Sequence, residues 1–148
     1  MIKVTAYKQL VRPLMEYASA AWDSLPGTLE SSLEAVQRRA ARFICNILRT
    51  DHHTSTTGLL SKLNLDVLSS RRTNARLRVF SQYHFSESDV ILAHLKHAPS
   101  PSVRRHSHQY LIPHSNTLHH QRSFFIKTAK EWNTLPTSSG FLVPPSAK

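Results

Sequence analysis

Apolar side chains recur at intervals of three and four along most of this chain, a spacing that predicts helices rather than strands. From Val4 to Trp22 the apolar positions are Tyr7, Leu10, Val11, Leu14, Ala18, Ala21 and Trp22. Pro13 falls inside that run and lacks a backbone donor, so a kink or two abutting helices is expected. Leu25-Pro26-Gly27 should end the segment. A second helix is expected from about Leu29 to Leu48, with the stripe Leu29, Leu33, Val36, Ala40, Phe43 and Ile47 spaced 4, 3, 4, 3, 4. Thr28 is placed to cap it, and Glu30 and Glu34 lie near its positive end. A short third helix is expected over about Thr56–Leu63 and a fourth over about Val67–Tyr83. DVILAHL at 89–95 is a weakly periodic fifth, and the last helix runs from about Phe125 to Asn133, stopped by Pro136.

After Lys96 the texture changes. APSPSVRRHSHQYLIPHSNTLHHQR is rich in Pro, Ser and His and has no helical period. It reads as a long ordered loop or a short β-hairpin, with QYLI as its strand. Residues 137–148 read as a disordered tail. The expected class is therefore mainly α: four to six helices, with a basic irregular segment before the last one. The expected division is a helical region at 1–96, a basic segment with a C-terminal helix at 97–136, and the tail. No internal repeat occurs.

Charge adds a functional direction. The 19 Lys and Arg outnumber 9 Asp and Glu, giving a net charge of +10 before any of the 10 histidines is counted. Such an excess favours polyanion partners, nucleic acid first and an anionic membrane surface second. The basic residues also cluster. No Asp or Glu occurs from Val90 to Lys130, and two further acid-free runs cover 35–50 and 67–86. On the second helix Arg38, Arg42 and Arg49 oppose the apolar stripe and Arg39 flanks them. Glu34 and Arg38 are placed for an i,i+4 pair. On the fourth helix Arg71 and Arg78 lie toward the polar side, whereas Arg72 falls within the apolar stripe of Leu68, Ala75 and Val79. A charge there needs a partner, and Glu16 or Asp23 is expected to supply it. Candidate phosphate contacts are Arg38, Arg39, Arg42, Arg49, Arg71, Arg78, Arg104, Arg105, Arg122 and Lys127. A solvated helix face is the plain alternative for each. Phe124 and Phe125 are expected in a core rather than stacked on bases.

Several chemistries find no support. Cys45 is the only cysteine, so no disulfide framework or multi-cysteine zinc site can form within the chain. His52-His53, His106-x-His108 and His119-His120 lack the usual zinc-ligand spacing, and no metal site is expected. No GxSxG, P-loop, HExxH or Gly-rich dinucleotide motif occurs, and the acids are too scattered to converge on two metal ions. No apolar run approaches the roughly 20 residues of a membrane span. Met1 opens directly into an amphipathic pattern, which suggests a piece of something longer rather than a signal peptide.

Four stretches carry a resemblance when read in order: LVRPLMEYASAAWDS, LESSLEAVQRRAARFI, STTGLLSKLNLDVLSSRRTNARLRVF and SFFIKTAKEWNTLP. Together they resemble the C-terminal region of non-LTR (LINE-type, jockey-like) retrotransposon reverse transcriptases, over about residues 5 to 136. Singly the motifs are of moderate specificity; the series is specific. The resemblance implies a thumb and post-thumb region, which helps hold template RNA and primer DNA. It also implies that endonuclease, fingers and palm domains precede this region in the full-length family. The family's catalytic aspartate box and its Mg belong to the palm, and no two aspartates are adjacent in this chain. No catalytic residue carries over, and no cofactor is expected here. Arg38, Arg39, Arg42, Arg71 and Arg72, within the matching motifs, carry over as nucleic-acid or structural contacts. The parent element would work in the nucleus or cytoplasm.

Two functions remain open at this point. One is non-specific binding of RNA, DNA or their hybrid through basic helix faces. The other is a helical module that docks on polymerase domains or an acidic protein. An exposed apolar patch around Tyr17 and Trp22 would favour the second.

Overall fold

A computed structural model describes residues 2–23, 27–47, 54–86, 89–91, 93–99 and 106–144, and among these the chain is mainly helical with no strand. It divides into two compact units, Met1–Arg72 and Thr73–Lys148. The division falls inside a helix, not at the change of texture after Lys96.

In unit 1 the expected first helix is broken into α1 (Ile2–Ala6), a π-turn (Tyr7–Val11), α2 (Arg12–Glu16) and α3 (Ser19–Trp22). The π-turn accommodates Pro13. The Arg12 N–H bonds back to the Tyr7 carbonyl, and Pro13 then sits in the first turn of α2, where its missing donor has no helical partner to lose. The sharper break comes later. Tyr17 turns extended and Ala18 takes φ 49°, a left-handed conformation costing on the order of 1–2 kcal/mol for a residue with a Cβ.

The second helix, α4, runs Gly27–Ile44, so Thr28 lies inside its first turn and its end comes before Leu48. Asn46 stops it. With φ 55° it lets its own N–H reach the Phe43 carbonyl at 3.2 Å and the Ile47 N–H reach the Arg42 carbonyl at 2.9 Å, a Schellman closure. The next helix, α5 (Thr56–Lys62), ends the same way, with Asn64 at φ 51° and Leu65 bonded back to Leu60 at 2.9 Å. Ser55 caps its start through the Gly58 N–H.

The core of unit 1 contains Tyr7, Ala41, Leu59, Leu60 and Leu65. The residues of α4 turned fully inward are therefore Gln37 and Ala41, and of the expected apolar stripe Ala40 and Ile47 pack against this core. Gln37 is fully buried because both ends of its amide are used. Tyr7 donates its hydroxyl to Oε1 at 3.0 Å, and Nε2 donates to the Asp66 carbonyl at 2.8 Å. Stripe residues Leu29, Val36 and Phe43 remain 51%, 38% and 67% exposed.

The fourth helix, α6 (Leu68–Phe85), begins in unit 1 and continues in unit 2. Unit 2 adds α7 (Leu118–Arg122), α8 (Phe124–Asn133) and a 3₁₀ turn (Gly140–Leu142). Helical segments thus exceed the expected number, because the first helix is split and α7 is new. The core of unit 2 is aromatic: Phe80 lies 5.0 Å from Trp132 and 5.5 Å from Tyr110, centroid to centroid. The described residues of DVILAHL form turns rather than a helix, with the Leu95 N–H on the Ile91 carbonyl at 2.7 Å and both side chains buried.

The expected hairpin reduces to one antiparallel bridge between His97 and Tyr110. Helix α8 supplies what a second strand would. The Asn133 amide accepts from the Tyr110 N–H at 2.9 Å and donates to the Tyr110 carbonyl at 2.7 Å, while Trp132 Nε1 donates to the His108 carbonyl at 2.7 Å. The expected disordered tail is also corrected for residues 137–144. Phe141 and Leu142 pack on the aromatic core, and Ser81 Oγ donates to the Phe141 carbonyl at 2.8 Å. Phe124 and Phe125 pack on the same core, as expected.

Candidate nucleic-acid interface

The arginines of α6 show what an acid-free stretch becomes in three dimensions. Arg71 makes a two-pronged pair with Glu16, Nε to Oε1 at 2.6 Å and Nη2 to Oε2 at 2.9 Å. That hydrogen-bonded carboxylate raises the guanidinium pKa further. Arg72 is 1% exposed and reaches Asp23 at 2.8 Å and Glu30 at 2.9 Å. The expected partner on the first segment is thus Asp23, and Glu16 serves Arg71 instead. Arg76 is equally buried and holds Glu131 of α8 at 2.6 Å. Carboxylates remote in sequence therefore pair with three of these four arginines, Arg71 among them. Arg78 alone faces out, beside a shallow pocket of about 450 Å³ that it shares with Gln82 and Phe141.

Helix α4 is the converse case. Glu30 turns toward Arg72, and Glu34 accepts from the Ser69 N–H at 2.9 Å instead of pairing with Arg38. Arg39 is exposed and Arg38 and Arg42 are half-buried, and neither Arg38 nor Arg39 has a carboxylate partner among the described residues. Lys3 of α1 joins this end of α4. Its ammonium lies 4.6 Å from the centre of the Phe43 ring and donates to the Phe43 carbonyl and to Asn46 Oδ1, all uncharged partners.

Arg122 and Lys127 are half-buried on α7 and α8, and Lys127 already has an interaction within the protein. Arg49, Arg104 and Arg105 lie outside the described residues. Of the described candidates, Arg38, Arg39 and Arg42 share α4 in unit 1, whereas Arg78, Arg122 and Lys127 lie on α6, α7 and α8 of unit 2.

Unit 2 also holds a histidine cluster. The His84 ring lies 5.0 Å from His108, 6.1 Å from His97 and 5.2 Å from Trp132. Burial first, then the neighbouring histidines His108, His97 and His106, push its pKa down to about 4. Burial also pushes Tyr110 up to about 12, and its hydroxyl shares a 2.6 Å hydrogen bond with His84 Nδ1. Among the described residues no group of three His, Cys, Asp or Glu side chains converges as metal ligands would.

The feature that charge patterning missed is apolar. A groove of about 660 Å³ in unit 1 is lined by Leu14, Met15, Tyr17, Ala18, Trp22, Leu29, Ser32, Leu33 and Val36. Leu14 is 81% and Tyr17 80% exposed, both far above what a core stripe would show. The stripe of α4 was the sequence signal for it. No helix among the described residues is long and apolar enough to cross a membrane.

No family model matches this chain, and no curated protein or solved structure matches it.

Proposed function

We propose that this chain is a non-catalytic fragment of a LINE-type retrotransposon reverse transcriptase that binds RNA, DNA or their hybrid without sequence preference. The observation that carries the binding is the separate engagement of the charges on α4. Its carboxylates turn to Arg72 and Ser69, while Arg39 is exposed and Arg38 half-buried, neither with a carboxylate partner among the described residues. Arg38 and Arg39, with Arg42 beside them, would contact phosphates, and Arg78 would add a separate contact. Chemistry would belong to a palm domain and its Mg outside this chain, since no paired aspartates are present.

Titrating the full chain with a labelled RNA–DNA hybrid at several salt concentrations tests this. Affinity should fall with salt at a slope of about −0.7 to −0.9 per phosphate neutralised, and the double variant Arg38→Glu, Arg39→Glu should flatten that slope. Salt-independent binding, or none at low salt, would sink the reading. The reading frame upstream of Met1 tests the parentage: an aspartate-pair palm box there supports it.

A second reading is favoured by the groove beside Tyr17 and Trp22. Unit 1 would then be a docking module, seated on polymerase domains or another protein through that apolar surface.

A further inference from the structure

We infer that the groove of unit 1 takes an amphipathic helix with acidic flanks, contributed by a partner polypeptide. This rests on the docking reading just given and adds the chemistry of the partner. The groove floor is aliphatic. Leu14 comes from the first segment, and Leu29, Leu33 and Val36 come from α4 at the i, i+4, i+7 spacing that one helix presents to another. A trough walled by helical segments accepts the ridge of a further helix, whose own apolar residues would recur at three and four.

The rim supplies the sign of charge. Arg39, three residues after Val36, is its neighbour on the helix surface and stands exposed at the open side. At the far end of the same stripe Lys3 sits over Phe43, with only uncharged partners. Among the described carboxylates of unit 1, Glu16 is committed to Arg71, Asp23 and Glu30 to Arg72 and Glu34 to Ser69, while the exposed Asp66 lies 3.9 Å from Arg71. An occupant therefore meets an apolar floor and a positive edge. A nucleic acid satisfies the edge and leaves Leu14 and Leu29 in water. A basic helix satisfies the floor and is repelled at the edge. A helix with a leucine face and glutamate flanks satisfies both.

The test uses the full chain and two helix-stapled, fluorescein-labelled synthetic peptides. Both carry the same leucine face; one has glutamates along its flanks and the other lysines. The glutamate peptide should bind with a Kd at least roughly tenfold lower. Arg39→Glu should erase or reverse that preference, and Leu29→Asp with Val36→Asp should abolish binding of both peptides. Circular dichroism checks that each variant keeps its helix content. Equal binding of the two peptides would overturn the acidic partner while leaving a docking groove. Binding of neither peptide would overturn the groove as well. Groove-dependent binding of phosphatidylserine vesicles, with neither peptide bound, would replace the partner helix by a membrane surface.

Discussion

In unit 2 Trp132 and Phe80 are fully covered and Tyr110 nearly so, while in unit 1 Leu14, Tyr17 and Phe43 stand mostly in solvent. The large side chains that unit 1 hides completely, or almost so, are Arg72, Leu68 and Gln37. Both units bury an arginine of α6 against carboxylates distant in sequence, Arg72 on Asp23 and Glu30, Arg76 on Glu131. They differ in what becomes of their large apolar groups. Unit 2 uses them to close its own interior. Unit 1 buries Gln37 and Arg72 beside Tyr7, Leu59, Leu60, Leu65 and Leu68, and leaves Leu14, Tyr17 and Phe43 outside. The lesson is that a strongly amphipathic helix does not always point its apolar side at its own core.

Trp132→Ala should be among the most damaging single changes, costing about 3–5 kcal/mol through the cavity left beside Phe80. Urea unfolding followed by circular dichroism measures it; a loss below about 1 kcal/mol, close to what a surface substitution costs, would break the contrast. In unit 1 the comparable change is Asp23→Ala. It strands the buried Arg72 guanidinium with only Glu30 and should cost about 3–5 kcal/mol, falling to the low end if Glu30 moves to compensate. Acid tests unit 2 more gently. The fold favours neutral His84, so the unfolded chain binds the extra proton. The stability depending on that ring is complete above about pH 6.5 and is lost as the pH falls toward about 4. His84→Phe should remove that part of the acid sensitivity in a pH series of unfolding curves. Ala18→Gly should stabilise by roughly 0.5–1 kcal/mol, because glycine accepts the left-handed turn without a Cβ clash. Leu14→Ser should shift stability by no more than about 0.5 kcal/mol, since that side chain packs on little. A larger loss would place Leu14 in the core and dissolve the comparison.

Much of the helical framework was legible because periodicity survives whichever way a helix faces. The orientation of α4 was not. Leu29, Leu33, Val36, Ala40 and Phe43 form an apolar stripe in either case, and the stripe alone cannot distinguish a core from a docking face. Gln37 gave no hint of burial, because its two partners, Tyr7 and the Asp66 carbonyl, come from elsewhere in the chain. The end of α4 was readable in principle: Asn46 is the residue type that most often joins glycine in closing a helix left-handed. Among the candidate contacts, the acid-free run 67–86 misled for a physical reason. Charge neutralisation acts in space, and Glu16, which claims Arg71, lies far from it in sequence. The buried state of Arg72 was legible, since its place inside an apolar stripe demanded a carboxylate. The ordered segment around Phe141 was hidden by its brevity, the three apolar residues Phe141, Leu142 and Val143 among Pro, Ser and Gly.

The chain's two tryptophans fall one to each unit. Trp132 is sealed, while Trp22 is only half-buried, lines the groove and donates its indole N–H to the Tyr17 carbonyl at 2.6 Å. Their fluorescence should therefore separate without any attached dye. The Trp132 emission belongs to a dry environment and should resist acrylamide, whereas that of Trp22 should lie further to the red and quench readily. A helix settling into the groove would shift only the second signal, so the molecule carries an optical reporter for each half already in place.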